Sequence, residues 1–421
     1  MHVVVCGADA VGAVVALLLA SEGHQVTVVD PRPGPGPDAG GPPLALLPQA
    51  VDLVSGELPG VARRLAAAGA VAEDGTRFLV HRALVSRALD EELSRTEGIR
   101  IERGVRVAAL LTGKERLAGR PHVQGVLTDS GKAVLADLMV DAAGRDSQMV
   151  KLLGEVGAPR PLEEHQDVGF RLYTRRFAVP KARTGRARWS LHHFDGIAVE
   201  VSSAGRGSWS MTLCTSDEDT QLYPLAGPTA WSRAAALYGP LLPPLTGTPR
   251  PGVWVTPRLE SSYRRFVVDG RPVATGTASV GDAWSATNPL LGLGPSIGLL
   301  HAVLLRNALR QGGAEEAAVH FDVLTEGLLS PLHHRITDWE EDLQSGASGS
   351  CAHPPPVAEA PDRAPTGLDA TAAALARDLP VRFSAMAAEA AACTRTGPSR
   401  AELVELLAHD RSTDRAKGVS A

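Results

Sequence analysis

Two glycine-rich turns, each set between an apolar run and an apolar helix, constrain this chain more than any other feature in it. The first is Gly7-Ala8-Asp9-Ala10-Val11-Gly12. A short apolar run over residues 2–6 leads into it, a helix to about Ser21 follows, and a second apolar run over 26–29 ends in Asp30. That order is βαβ. In a G-x-G-x-x-G turn the first glycine permits the tight bend and the second lets the backbone approach a pyrophosphate. The third lets helix and strand pack closely, and the helix N-terminus adds partial positive charge. Here Asp9 stands where the middle glycine belongs. A carboxylate within ~4 Å of a pyrophosphate costs roughly 1 to 4 kcal/mol unless it points away or pairs with a cation. Asp30 lies 23 residues after Gly7, near the ~20-residue offset of a carboxylate that accepts hydrogen bonds from ribose hydroxyls. Taken alone, the motif also suits a βαβ unit that packs well and binds nothing.

The second turn follows an apolar strand over 272–280 that ends at Gly281-Asp282. A loop carrying Pro289, Gly292, Leu293 and Gly294 comes next, and a helix is predicted over 295–310, opening at Pro295, a favoured first-turn residue. The pattern places a carboxylate and a helix N-terminus at one edge of a sheet. The carboxylate can bind a polyol, and the helix dipole can stabilise negative charge.

Between the turns, Val85, Leu89 and Leu93 fall at helical spacing from Arg82 onward, residues 99–107 alternate like a strand, and an apolar strand over 134–140 runs into Asp141-Ala142-Ala143-Gly144. From 154 to about 265 the pattern becomes antiparallel. Ile197, Val199 and Val201 alternate, residues 204–207 offer a turn, and Trp209, Met211 and Leu213 alternate again, which predicts a hairpin with one apolar face. The grammar of the first segment then resumes, so one domain is interrupted by another. With 421 residues, more than one hydrophobic core is expected. Residues 31–43 and 345–367, rich in Pro, Gly and small residues, read as a surface loop and a linker, the second leading to two or three helices. The expected division is 1–155, 156–265, 266–345 and 346–421: an α/β chain with a split Rossmann-like domain, an inserted antiparallel β-sheet domain and a helical C-terminal tail.

Bulk properties exclude several alternatives. Apolar residues at 44% and charged residues at 21% suit an ordinary globular protein rather than a disordered one. A net charge of −5 leaves no basic stripe for nucleic acid. The longest apolar stretch, residues 11–20, is too short to span a bilayer, and only His2 stands where a signal peptide would carry positive charge. Cys6, Cys214, Cys351 and Cys393 lack C-x-x-C spacing, which fits a reducing cytoplasm and neither a zinc site nor a disulfide framework. His192-His193 and His333-His334 have no partners at metal-ligand spacing, so no metal is expected, although His192 or His193 is a candidate acid or base. Gly294-Pro295-Ser296-Ile297-Gly298 matches the hydrolase elbow formally, but no strand runs directly into it. Trp189, Trp209 and Trp254 read as core or pocket wall.

Four segments together resemble the FAD-dependent monooxygenases and related oxidoreductases of the para-hydroxybenzoate hydroxylase fold, over about residues 1–340. They are the N-terminal turn; Arg82 with Val85 and Leu89; Val140-Asp141-Ala142-Ala143-Gly144-Arg145-Asp146-Ser147; and Gly281-Asp282 followed by Pro289, Gly292 and Gly294. The resemblance implies that Gly7, Gly12 and Arg82, with Ala10 and Val11 in the same turn, hold the FAD diphosphate. Asp30 would take the adenosine ribose, the backbone near Val107 the adenine, Gly281-Asp282 the ribityl chain, and the loop from Pro289 through Gly292 and Leu293 to Gly294 the isoalloxazine. Relatives that reduce their own flavin with NAD(P)H carry Asp-Gly where this chain has Ala143-Gly144. The D-A-x-G-R-x-S form is similar to that of flavin-dependent halogenases, geranylgeranyl reductases and two-component styrene-type monooxygenases. A separate flavin reductase is therefore a possible electron source beside NAD(P)H. The W-x-W-x-I-P stretch of the halogenases is missing. The activity implied is monooxygenation of a small aromatic or polyketide-like substrate through a flavin C4a-hydroperoxide, in bacterial secondary metabolism, with no side-chain nucleophile required. An FAD-dependent dehydrogenase or reductase, or a non-redox cyclase or binding protein, are the alternatives.

Overall fold

The computed structural model describes residues 1–34, 44–68, 71–73, 77–167, 169–179, 189–203, 208–242, 246–257, 259–346, 368–392 and 396–417. Residues 35–43 of the loop expected over 31–43, the hairpin turn over 204–207, most of the linker, and Cys351 and Cys393 lie outside these residues.

The chain begins with strand β1 (His2–Cys6), whose Val3, Val4 and Val5 are wholly buried, as befits a parallel strand covered on both faces. Helix α1 (Ala10–Ser21) is buried from Gly12 through Leu19, so it is a core helix with apolar residues all round. β2 (Gln25–Asp30) pairs parallel with β1, helix α2 (Arg82–Leu93) follows, and β3 (Ile99–Arg103) pairs parallel with β2. The expected strand over 99–107 is broken at Gly104, which adopts φ +68, and Val107 starts a hairpin (Val107–Leu117 with Arg120–Thr128). The strand expected over 134–140 is likewise two. Ala133–Leu135 joins that hairpin, and only β4 (Leu138–Asp141) pairs parallel with β1. The break sits at Asp137, whose N–H donates to the His2 carbonyl while its carboxylate accepts from the His2 N–H. Alternation reports an extended backbone and says nothing about which neighbour it joins.

An antiparallel sheet follows, with β5 (Phe170–Ala178), β6 (Ser190–Phe194), β7 (Ile197–Ser203) and β8 (Ser208–Ser216) in the order β6-β7-β8-β5. β7 and β8 pair from Ile197↔Thr215 to Ser203↔Trp209, the hairpin expected from their alternation. On its apolar face Tyr173, Val199, Val201, Met211 and Leu213 pack with Trp231 and Tyr238 of helix α3 (Pro228–Tyr238). The chain then returns: β9 (Thr277–Ser279) pairs parallel with β4, so the parallel sheet has the order β9-β4-β1-β2-β3 among the described residues. Helices α4 (Gly294–Gln311) and α5 (Ser330–Gly346) complete this part.

The last two helices, α6 (Ala370–Ala392) and α7 (Arg400–Lys417), expected as a helical tail, each pack into a core. Leu375, Leu379 and Phe383 of α6 are buried in the core of the parallel sheet, each contributing roughly 1.5–3 kcal/mol by burial. Leu403 and Leu407 of α7 close the apolar face of the antiparallel sheet. Cys6 and Cys214 are buried core residues whose thiols burial pushes well up. Among the described residues no helix is long and apolar enough to cross a membrane.

Candidate functional site

The C-terminal edge of the parallel sheet gathers nearly every residue singled out in the sequence. Gly7 leaves β1 at φ +103, its N–H donating to the Val29 carbonyl at 2.8 Å. A Cβ on Gly7 would come within 2.5 Å of the Ala142 carbonyl oxygen, and one on Gly12 within 2.0 Å of the Gly7 carbonyl oxygen, so only glycine lets α1 start this close to β1 and β4. Ala10 and Val11 form the first turn of α1. Val11 joins the two glycine turns: a Cβ on Gly281 would lie 3.2 Å from its methyls, and one on Gly298 only 2.4 Å. Segments far apart in the chain thus meet across a single valine.

Asp9 is the N-cap residue of α1 but makes no side-chain cap bond. Its carboxylate pairs outward with Arg32 at 3.5 Å and with Arg82 at 3.9 Å. Pairing with cations is the condition under which an aspartate is tolerable beside a phosphate. Asp30 ends β2 buried, and accepts from the backbone N–H (3.2 Å), Nε (3.1 Å) and Nη2 (3.2 Å) of Arg32. The Val105 N–H donates to the Asp30 carbonyl, which sets the start of the Val107 strand against the end of β2. Arg32 was not among the residues expected here; its place two after Asp30 is the signal that points to it.

Asp141 is fully buried and holds the D-A-A-G-R-D-S turn together, accepting from the Ser147 hydroxyl at 2.5 Å and the Ala143 N–H at 3.1 Å. Burial raises its pKa against those bonds. Arg145 of the same turn donates to the carbonyls of Glu260 (2.8 Å) and Thr287 and lies 3.5 Å from the Asp282 carboxylate. Asp282 is recessed in a cleft although its side chain is 42% exposed; desolvation there raises its pKa while Arg145 and Arg82 pull it down.

The loop after Asp282 is gripped from two helices. His301 of α4, wholly buried, accepts the Gly281 N–H through Nδ1 at 3.1 Å and meets the Thr325 hydroxyl through Nε2 at 3.2 Å. Burial lowers its pKa to about 3, so it is a neutral imidazole with its proton on Nε2. Glu340 of α5 accepts the Asn288 N–H at 2.8 Å and the Ser261 hydroxyl at 2.7 Å, and burial pushes its pKa up to about 7. The Asn288 side chain accepts from the Leu290 N–H, which opens a short 3₁₀ turn, Pro289–Leu291. Gly292 follows at φ +65 with Ala45 too close for a Cβ, Leu293 is buried, and Gly294 starts α4 facing open space without a side-chain cap. Neither His301 nor Glu340 carries a local sequence signal, because each acts on a backbone amide remote in the chain.

Residues of this loop line two recesses, both partly open. One is lined by Asp282, Thr287, Gly294, Gly298 and His333. The other lies under the antiparallel sheet between Leu172, Thr174, Trp189, Glu200, Pro289 and Leu290. His192 and His193 do not line it. His192 is buried against Ser190, and His193 points to the opposite face with its pKa lowered by burial to about 4. His193 thus shares the face of the sheet that carries Leu172, Glu200 and Cys214, whereas His192 stands on the face of the apolar core. His333 bonds the Ser285 hydroxyl at 2.7 Å, His334 meets Glu164 at 3.3 Å, and no cluster able to hold a metal ion occurs among the described residues. Ser296 is buried within α4, accepting the Leu47 N–H, as a packing residue and not a nucleophile. Trp189 lines the pocket, Trp209 stacks on Phe177 at 3.9 Å, and Trp254 is 39% exposed.

This arrangement of sheets and turns is the mixed α/β fold of the para-hydroxybenzoate hydroxylase-like flavoproteins, which includes FAD-dependent monooxygenases and flavin-dependent halogenases. Individual structures with this fold include Pseudomonas aeruginosa PqsL in complex with 2-aminobenzoylacetate, at TM-score 0.62 and 18% identity over 83% of this chain and 98% of that one. A 2-methyl-3-hydroxypyridine-5-carboxylic acid oxygenase matches at TM-score 0.63 and 16% identity over 91% and 98% of the two chains. The flavin-dependent halogenase CmlS matches at TM-score 0.61 and 16% identity over 83% and 65%. No family model matches the sequence. Protein Rv3254 of Mycobacterium tuberculosis (strain ATCC 25618 / H37Rv) is 26% identical over 240 residues, 52% of this chain, which spans about half (48%) of that relative's length.

Proposed function

We propose that the chain binds FAD along the C-terminal edge of its parallel sheet and acts as an FAD-dependent monooxygenase on a small aromatic or polyketide-like molecule. The observation that carries this reading is the junction at Val11. It brings two glycine turns, two helix N-termini without side-chain caps, Arg82, Arg145 and Asp282 to one edge, with a second recess beside the loop from residue 289 to 294. On this reading residues 1–155 and 266–345 form a split Rossmann-like domain, 156–265 the substrate domain, and 346–421 the linker and C-terminal helices.

The residues present suit a dinucleotide. The unpaired N–H groups at the start of α1, with Gly7, Ala10 and Gly12 behind them, would take the diphosphate, and Arg82 would balance its charge. Asp30 would exchange part of its bonding with Arg32 for ribose hydroxyls; the backbone near Val107 would border the adenine. Gly281-Asp282 would bind the ribityl chain beside Arg145. Pro289, Gly292, Leu293 and Gly294 would lie along the ring, with the N-terminus of α4 supplying positive potential. Bound FAD would supply electron transfer and oxygen activation, and the protein would orient the substrate beneath the antiparallel sheet. His301 and Glu340 hold the loop that lines both recesses, so their part is positioning. Ala143 favours reduction by a separate flavin reductase over direct NAD(P)H use.

A second reading, a non-redox binding protein or cyclase on the same fold, is favoured by the Asp9–Arg32–Asp30 ion network at the nucleotide turn. An absorbance spectrum separates the two, followed by NADH and NADPH addition with oxygen uptake recorded in air and under argon. The expected result is a yellow protein that stays oxidised until a flavin reductase is supplied and then consumes oxygen. Asp9→Gly is expected to raise FAD retention only modestly, because the carboxylate already pairs outward. A colourless protein that cannot be reconstituted with FAD, yet becomes yellow with Asp9→Gly, would overturn the first reading and support the second.

A further inference from the structure

We propose that His333 is a flavin-contact residue: its Nε2–H donates to the polar edge of the isoalloxazine beside the ribityl attachment, N1 and the C2 carbonyl, and so raises the reduction potential of the bound flavin. The inference rests on the reading of this edge as an FAD site and adds to it a side chain that tunes the cofactor.

The sequence marks His333 only as half of a histidine pair, and no metal-ligand set forms around it among the described residues. The fold gives it another setting. His333 stands in the first turn of α5 and, though only 5% exposed, lines the recess that Asp282 shares with Gly294 and Gly298 at the start of α4. Two neighbours fix the imidazole. Its ring stacks on Tyr263 at 5.2 Å, and its Nδ1 meets the Ser285 hydroxyl at 2.7 Å. Tyr263 and Ser285 face each other across an antiparallel pair of strands, so one cross-strand pair sets both the plane of the ring and its rotation.

Hydrogen-bond accounting assigns the tautomer. Ser285 is buried, and its hydroxyl proton has no acceptor besides His333 Nδ1 among the described residues. With Nδ1 accepting, the ring proton sits on Nε2. Burial, with His334 beside it, lowers the pKa of His333 to about 4, so the ring is a neutral donor and not a cation. Nε2 has no partner among the described residues and is not enclosed by protein; it opens on the recess that the ring lines. Its neighbours there are engaged otherwise: Asp282 lies 3.5 Å from Arg145, and Trp284 packs against the rings of Tyr263 and His301.

Flavin chemistry decides which atoms such a donor suits. N1 and the C2 carbonyl lie next to the nitrogen that carries the ribityl chain, and reduction places negative charge on them, whereas the dimethylbenzene side carries no acceptor. With the ribityl chain at Asp282 and the ring along the loop to Gly294, those acceptors are the ones nearest a residue lining the recess between them. A donor there bonds the reduced flavin more strongly than the oxidised one, and so favours reduction.

Dye-coupled reductive titration at about pH 8, followed by absorbance, reads the potential of the bound FAD once FAD content and thermal midpoint have been recorded. His333→Phe keeps a ring against Tyr263 without a donor, His333→Leu removes donor and ring, and His333→Gln restores an N–H at similar reach. In whichever of the Phe and Leu variants holds FAD, the equilibrium is expected to move roughly tenfold or more toward oxidised flavin, about 30 mV for a two-electron couple. His333→Gln should stay within about threefold of wild type. A potential unmoved in the Phe and Leu variants, or lowered as far in His333→Gln, overturns the inference. Loss of FAD from the Phe and Leu variants with retention in His333→Gln supports a donor to the flavin; loss from all three assigns His333 to packing and overturns it. If the wild-type chain takes up no FAD, the functional reading fails and this inference with it, while an unmoved potential in FAD-loaded variants counts against this inference alone.

Discussion

The parallel sheet and the antiparallel sheet present their functional edges in opposite ways. At the parallel sheet the working groups are backbone. Gly7, Gly12, Gly281 and Gly298 are sites where an added Cβ would meet a carbonyl or Val11, and the polar side chains around them mostly hold turns in place. Under the antiparallel sheet the working groups are side chains, Glu200 with Thr174, Ser202 and Thr212, on strands that keep regular pairing throughout. A site made from backbone tolerates little change at its glycines, because bulk displaces the chain itself. One made from side chains on a regular sheet can change its chemistry with little effect on the frame.

The contrast would be broken most decisively at Gly12. Gly12→Ala puts a methyl 2.0 Å from the Gly7 carbonyl and is expected to cost about 3 kcal/mol or more, with loss of FAD retention. A chemical denaturation midpoint unchanged from wild type would show that α1 can shift freely and that the turn is not tightly set.

A smaller effect is expected at His301. His301→Leu strands the buried Gly281 N–H, at a cost of about 1–3 kcal/mol. The imidazole has a pH signature as well. Its folded pKa is near 3 against an ordinary 6.5, so the unfolded chain takes up a proton that the folded one refuses. Its stabilisation is complete above about pH 6.5 and is lost as pH falls toward 3. Urea titrations across that window should show a shallower acid-side loss in His301→Leu than in wild type. Because His193 and His333 are also held near 4, the slope should flatten only in part; an unchanged slope would remove His301 from the account.

The smallest effect belongs to the antiparallel sheet. Thr212→Val removes the bond to the Thr174 hydroxyl and should cost about 1 kcal/mol with FAD content unaltered. A loss larger than that of Gly12→Ala would reverse the comparison and make the antiparallel sheet the less tolerant frame.

Much of this architecture was legible before any coordinates. The βαβ opening, the helix from Arg82 to Leu93, the hairpin of β7 and β8, and the helix after Gly294 all follow local periodicity and punctuation. Three strand expectations, 99–107, 134–140 and 272–280, each divided between two sheets, because an extended run reads the same whichever partner it takes. The candidate nucleotide residues do converge on one sheet edge. His301 and Glu340 carry no local signal, since their partners lie elsewhere in the fold; Arg145 stands in the D-A-x-G-R-x-S motif and Arg32 two residues after Asp30, but their ion pairs to Asp282 and Asp9 are set only by the fold. Asp9 shows the limit most clearly: a carboxylate at that position is costly or harmless according to whether Arg32 and Arg82 reach it.

What the amino-acid order determined by itself is local: where the backbone must bend, which faces are apolar, and where carboxylates stand relative to glycines. These are properties of residues within a few positions of each other, set by sterics and periodicity. What the tertiary structure alone decided is which distant segments meet. Val11 touches Gly281 and Gly298, Glu340 grips Asn288, and α6 and α7 complete two separate cores. The physical reason is that burial rewards any apolar face that fits another, so a sequence states which faces must be covered, and only close packing selects what covers them.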